Sequence, residues 1–188
     1  MQTFLPYADY AASAATLDMK RLGKQRVEAY QALLQLCGIK MVDYPKWEPR
    51  FGGWSHAVMA MWSGHEVQLL EYIRACCDEW TGRGYKDTVL EKSTHVLQLA
   101  RESDWTEEPP AWLGDPEIHR SHRSNLIRKD LEHYARLFPE DVPTISEDYL
   151  PYIWPKTEYP LKERKTHNFN RMLALKEEEL ATLQPEAS

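Results

Sequence analysis

Between Trp54 and Trp80, Val58, Trp62, Leu69, Tyr72, Ile73, Cys76 and Trp80 recur at helical spacing on one face. A chain with that much apolar bulk on one helical face must cover it with further helices. The pattern predicts a central core helix over 54–80, closed by Gly82 and Gly84. His65 shares the apolar face and is expected as a core histidine with its hydrogen bonds met. His56 lies nearly opposite, after the Gly52-Gly53-Trp54 turn, and is more open to function: a neutral imidazole there can orient a water or a phosphate.

The run from Leu17 to Gln35, LDMKRLGKQRVEAYQALLQ, holds four strong bases and two acids and also scans as helix. Leu22, Ala29, Leu33 and Leu36 form a narrow apolar stripe. Arg21, Gln25 and Glu28 flank that stripe, while Lys20 and Lys24 point further toward solvent. An arginine, an amide and a carboxylate at the boundary between buried and exposed faces suit a cleft floor. The same residues also fit an ordinary surface helix with i,i+4 pairs, including a plain Arg21–Glu28 salt bridge.

Elsewhere, Met1 to Tyr10 reads as an extended lead-in, with Ser13 or Thr16 as cap of the helix that follows and Gly38 as its C-terminal stop. Met41–Gly53 and Glu102–Pro116 are expected as ordered loops rich in Pro and Trp. Asp87 or Thr88 should cap a helix reaching about Arg101, with Val89, Val96, Leu97 and Ala100 facing inward. Another is expected from Glu117 to about Leu137. Four prolines in 141–160 exclude regular structure there, and Tyr149, Leu150, Tyr152, Ile153 and Trp154 should lie on the core. A last helix is expected over roughly Asn168–Leu183. With no strand signal, the fold class is all-α: a compact helical bundle forming one domain over 1–188, with 161–188 a charged and peripheral C-terminal helix.

The chain has 188 residues and a formal net charge of −6, which argues against non-specific nucleic-acid binding by the whole surface. The average conceals basic stretches at Lys20–Arg26 and Arg120–Lys129, so a local basic cleft remains open. Three cysteines, two adjacent, form neither a disulfide framework nor a metal knuckle and suit a reducing compartment. No signal-peptide pattern and no membrane-length apolar run occur, so the expectation is a soluble cytoplasmic protein. Oligomeric state leaves no mark on the sequence.

His119 and His122, at i,i+3, share a helical face. A metal needs three or four ligands, and neither further ligands at suitable spacing nor an HExxH motif appears, so no metal and no cofactor is expected. The pair groups instead with Arg120, Arg123, Asn125, Arg128 and Lys129 as phosphate or substrate contacts. Trp47, Trp54, Trp105, Trp112 and the aromatics of 149–154 could stack a base or simply fill the core.

The segments MQTFLPY, LDMKRLGKQRVEA, GGWSHAVMAMW, DEWTGRGYKDT, PPAWLGDPEIHRSHRSNLIRKD and DYLPYIWP together resemble the pyrimidine-dimer DNA glycosylases with associated AP-lyase activity. The likeness is strongest to a bacterial branch with extra loops, over about Met1–Pro155. The family, best known from a small phage repair enzyme, implies a helical single domain and a DNA partner. It also implies an α-amine nucleophile that attacks C1′ with help from a glutamate on the first long helix. On this resemblance Met1, Glu28 and His56 are candidate catalytic residues. Arg21, Gln25, Arg26, His119, His122, Arg123, Asn125 and Arg128 are candidate substrate or phosphate contacts, with Arg26 and His56 at matching positions. Two residues depart from the pattern. Gly23 stands where the catalytic glutamate is expected, leaving Glu28 as its substitute, and Gln2 replaces threonine, so Met1 is retained and supplies the amine. The implied activity is base–sugar cleavage in DNA. The alternatives are glycosidic chemistry on a free or modified nucleotide, and a nucleic-acid-binding module without catalysis.

Overall fold

The computed structural model describes residues 2–41, 54–100, 106–145, 148–155 and 165–167, with only the backbone of 40–41, 54–56 and 165–167. Seven α-helices occur among them: α1 Tyr10–Thr16, α2 Met19–Leu36, α3 Trp54–Trp62, α4 Glu66–Gly82, α5 Val89–Ala100, α6 Pro116–Lys129 and α7 Leu131–Tyr134. The architecture is all-α, as the periodicity predicts. One short parallel pairing of Ile39–Met41 with Lys165–His167 is the exception, a ladder of three residues per strand that no alternating pattern announced.

Helices α2, α4 and α5 all pack on one another, and α1 packs on α4. The expected stripe holds: Leu22, Ala29, Leu33 and Leu36 are buried, facing Leu69, Tyr72, Ile73 and Cys76 of α4. Each such aliphatic side chain contributes roughly 1.5–3 kcal/mol on leaving water. An aromatic cluster fills the middle, where Trp62 meets Tyr72 at 5.9 Å and Trp112 edge-on at 5.1 Å between ring centroids.

Helix boundaries depart from expectation at three places. The predicted 54–80 helix is two helices. Gly64, at φ 81°, turns the chain left-handed between α3 and α4, and the apolar phase on either side of the break imitates one continuous helix. His65 sits half-buried at this junction and bonds the Glu108 backbone rather than filling the core. The expected 117–137 helix divides at Asp130, whose carboxylate accepts from the His133 amide and caps α7 (3.2 Å). Neither Ser13 nor Thr16 is a cap. Asp9 caps α1 and Asp18 caps α2, whereas Ser13 is buried and bonds the backbone of Tyr7.

The other expectations hold where the structure describes them. Gly38, at φ 66°, follows the end of α2, and Asp87 caps α5 through the Val89 and Leu90 amides. The segment 148–155 lies along α6, where Ser124 accepts from the Leu150 amide, Ser121 from that of Ile153, and Asn125 donates to the Leu150 carbonyl. Tyr149, Tyr152 and Trp154 pack on the core, but the Ile153 side chain is exposed. The loop expected over 42–53 and the helix expected over 168–183 fall outside the described residues.

Gly23 lies where α2 meets the Trp80 ring. A Cβ there would sit 3.2 Å from one ring carbon and 3.3 Å from another. The ring has little room to yield: it stacks on Tyr85 at 4.3 Å, bonds the Lys86 carbonyl, and covers the Arg26 guanidinium at 4.2 Å. Overpacking typically costs about 1–3 kcal/mol, against a helix-propensity gain of under about 1 kcal/mol. Gly23→Glu should therefore lower Tm by a few degrees, at about 2–4 °C per kcal/mol for a chain this size. A raised Tm would show that the ring moves aside.

Candidate active site

Residues 2–7 are irregular, yet Thr3, Phe4, Leu5 and Pro6 are buried. Their peptide groups have no helix or sheet partner, and each unmet buried group costs about 1–3 kcal/mol. Side chains from α1, α2, α4 and α6 meet them one by one. Glu28 Oε2 accepts from the Gln2 amide at 3.0 Å and Gln25 Oε1 from the Phe4 amide at 2.8 Å. The Tyr72 hydroxyl lies 2.9 Å from the Phe4 carbonyl. His122 Nδ1 accepts from the Leu5 amide at 2.9 Å, while His119 Nδ1 lies 2.8 Å from the Leu5 carbonyl. Arg123 donates to the Pro6 carbonyl at 3.0 Å, and Trp62 Nε1 donates to the Thr3 hydroxyl at 2.9 Å.

The beginning of this segment borders a cavity of about 560 Å³ lined by Gln2, Phe4, Lys20, Arg21, Lys24, Gln25, Glu28, Arg128, Lys129 and Tyr152. That volume falls within the roughly 300–1,000 Å³ of small-molecule sites. Five lining residues are cationic and one is anionic. Lys20, Lys24, Arg128 and Lys129 have no carboxylate within ion-pair distance among the described residues. Arg21 alone is paired, to Asp18 at 2.5 Å and Asp130 at 3.4 Å, and it also donates to the Lys129 carbonyl. Burial alone would raise the Asp18 pKa, but hydrogen bonds from Tyr134 and Arg21 outweigh it and hold the carboxyl below the usual range. Arg21 is thus fixed, and the plain Arg21–Glu28 bridge allowed by the sequence is not formed.

The candidate residues divide into two groups. Arg21, Gln25, Glu28 and Arg128 meet at the cavity, joined on its open side by Lys20 and Lys24, which are exposed, as the helical projection predicts. The i,i+4 row Lys20–Lys24–Glu28 was the available signal for that wall. Phe4 carried no signal, because nothing in an apolar lead-in shows that it returns to a cavity. Arg26 lies elsewhere: it is buried, ion-paired to Asp87 and covered by Trp80, which leaves little for a phosphate. His119, His122 and Arg123 do not form an anion site either. Both histidines are buried against backbone, and Arg123 is ion-paired to Asp141. Asn125 is buried and braces Arg128 through its amide oxygen at 2.9 Å. Met1 and the His56 side chain fall outside the described residues. No group of three or more His, Cys, Asp or Glu side chains suited to a metal occurs among the described residues, and none of their helices is long and apolar enough to cross a membrane.

His122 has a measurable signature. Burial, with a smaller contribution from His119, pushes its pKa down to about 3. The unfolded ring titrates near pH 6.5, so below that pH the unfolded chain binds a proton that the folded chain refuses. This contribution is complete above about pH 6.5 and declines as pH falls, by up to about 1.4 kcal/mol per pH unit. His122→Gln keeps an acceptor for the Leu5 amide and removes the titration. Between about pH 6.5 and 5 its unfolding free energy should fall less steeply than that of the wild type, by most of that slope. Parallel curves would mean that His122 takes up its proton without unfolding.

No curated protein and no solved structure matches the chain. Residues 1–92, just under half of it, match the family model described as pyrimidine dimer DNA glycosylase. The match spans the buried lead-in and the α2 wall of the cavity, whereas Arg128, Lys129 and Tyr152 come from beyond it. It supports the general family of DNA-glycosylase-related proteins for the part of the chain that holds Gln2 beside Glu28.

Proposed function

We propose that this protein is a DNA glycosylase-like enzyme that cleaves a base–sugar linkage in DNA, with an AP-lyase step through a Schiff base, as the family its segments resemble implies. The observation that carries the reading is the cavity, where four cations without carboxylate partners among the described residues surround Glu28 at the start of a rigidly held segment. Unpaired cations in a chain of net charge −6 suit a polyanion, whose bound counterions are released on binding. DNA is the partner in this reading, and Tyr152, at the cavity wall, offers an aromatic ring to an extruded base.

In the proposed mechanism the neutral α-amine of Met1 attacks C1′. The C1′–N bond breaks and its electron pair leaves with the base. Glu28, hydrogen-bonded to the adjoining Gln2 amide, takes the proton that the attacking nitrogen sheds; the nitrogen lone pair then opens the sugar, the C1′–O4′ pair going to O4′ together with that proton, and the Schiff base is left. An α-amine titrates near pH 8, so a useful fraction is neutral at neutral pH. Lys20, Lys24 and Arg128 hold phosphates, beside an Arg21 fixed by Asp18 and Asp130. His56 orients a water or a phosphate.

Two experiments test this. Glu28→Gln keeps an acceptor for the Gln2 amide, so Tm should hold while base release from a damaged duplex falls by roughly 10²-fold or more. Unchanged turnover would remove Glu28 from the reaction. The double variant Lys24→Glu/Arg128→Glu should weaken duplex binding across sequences and flatten its salt dependence, by about 0.9 in the log–log slope for each phosphate that is no longer neutralised. Binding that ignores salt would remove DNA as partner and favour a free nucleotide. Salt-dependent binding without any base release would favour a non-catalytic binding module.

A further inference from the structure

Lys129 ends α6 at the rim of the cavity, and its ammonium lies 5.9 Å from the centroid of the Phe4 ring. Its backbone is pinned, since the Lys129 carbonyl accepts from Arg21 at 2.9 Å. A lysine whose only work was solubility would be free of the cavity or matched to an acid. This one, although exposed, lines the same open cavity as Arg21, Lys20 and Lys24 of α2, Arg128 of its own helix and Tyr152 of the returning segment, with Glu28 as the single carboxylate among the lining residues.

We propose that Lys129 is a second amine nucleophile of this cavity, capturing the aldehyde of an abasic site as a Schiff base after the base has left. The inference rests on the proposed action on DNA but not on the α-amine. Neutral Nζ adds to C1′ of the ring-opened sugar, and the carbonyl π pair moves to oxygen. That oxygen takes one proton from Nζ and one from solvent and departs as water, leaving an iminium between C1′ and Nζ. Borohydride then delivers hydride to C1′ and fixes the link as a secondary amine.

The surroundings favour the neutral amine that this step requires. Partial burial first, then Arg128, Arg21 and Lys24, lower the Lys129 pKa from its ordinary value, with Glu28 pulling the other way. Crowding by cations and loss of water are the usual means by which a lysine is made nucleophilic. Glu28, lining the same cavity, is available to carry protons between the amine and the departing oxygen.

The test is borohydride trapping of the full-length protein on a duplex with one abasic site, with the adduct mapped by mass spectrometry. The same preparation is assayed for base release from a damaged duplex. The proposal expects the adduct on Lys129. Lys129→Arg, which keeps the charge but offers no nucleophilic amine, should lose the adduct mapped to position 129 by at least about tenfold, leaving any Met1 adduct, while duplex affinity and Tm hold. An adduct confined to Met1, with Lys129→Arg trapping as well as wild type, overturns the proposal and leaves the DNA-enzyme reading intact. Base release without any adduct also overturns it. Neither adduct nor base release would overturn the proposal and that reading together.

Discussion

The burial of residues 2–7 without regular secondary structure is the constraint on which the rest of the molecule depends. A buried peptide that pairs with nothing is expensive, and this segment carries several such groups in a row. The helices answer with side chains aimed at single backbone atoms: Glu28 and Gln25 from α2, Tyr72 from α4, His119, His122 and Arg123 from α6. Few of these bonds would survive a slip of the segment by one residue, so its register is specified. One consequence is mechanical. Gln2 and Phe4, in a segment without regular structure, are held at the wall of a cavity.

The second consequence is electrostatic. Having used Asp18, Asp87, Asp130 and Asp141 to neutralise Arg21, Arg26 and Arg123, the fold leaves Lys20, Lys24, Arg128 and Lys129 around the cavity without such partners among the described residues. These exposed cations repel one another, and a bound anion or the loss of a proton relieves that repulsion further than solvent does. The first route suits a phosphate backbone. The second falls most easily on Lys129, the lysine whose pKa is lowered. In the proposed reading, phosphate binding and amine chemistry are two responses to one cluster of charge.

Much of this was legible in the chain, and what was not has definite physical causes. Helical periodicity located the stripe of α2 and the packing face of α3 and α4, because both are set by local spacing. It did not reveal the break at Gly64, since two helices can share an apolar phase across a short turn. The polar flank Arg21, Gln25, Glu28 was visible as unusual, but its division of labour was not. Gln25 serves a backbone amide 21 positions away and Arg21 serves two acids, choices fixed only by tertiary packing. The histidines show the same limit. At i,i+3 they share a face, as spacing requires, yet the Leu5 peptide lies more than a hundred residues from them in sequence.

Amide hydrogen exchange, in the free protein and with an abasic-site duplex bound, tests the central claim most directly. If the lead-in is locked into the core and its start borders the DNA site, the Phe4 and Leu5 amides should exchange as slowly as the buried amides of α4. The Gln2 amide, on Glu28 at the cavity edge, should exchange faster in the free protein and slow when duplex is added. Rapid exchange at Phe4 and Leu5, or a Gln2 amide indifferent to duplex, would contradict the account.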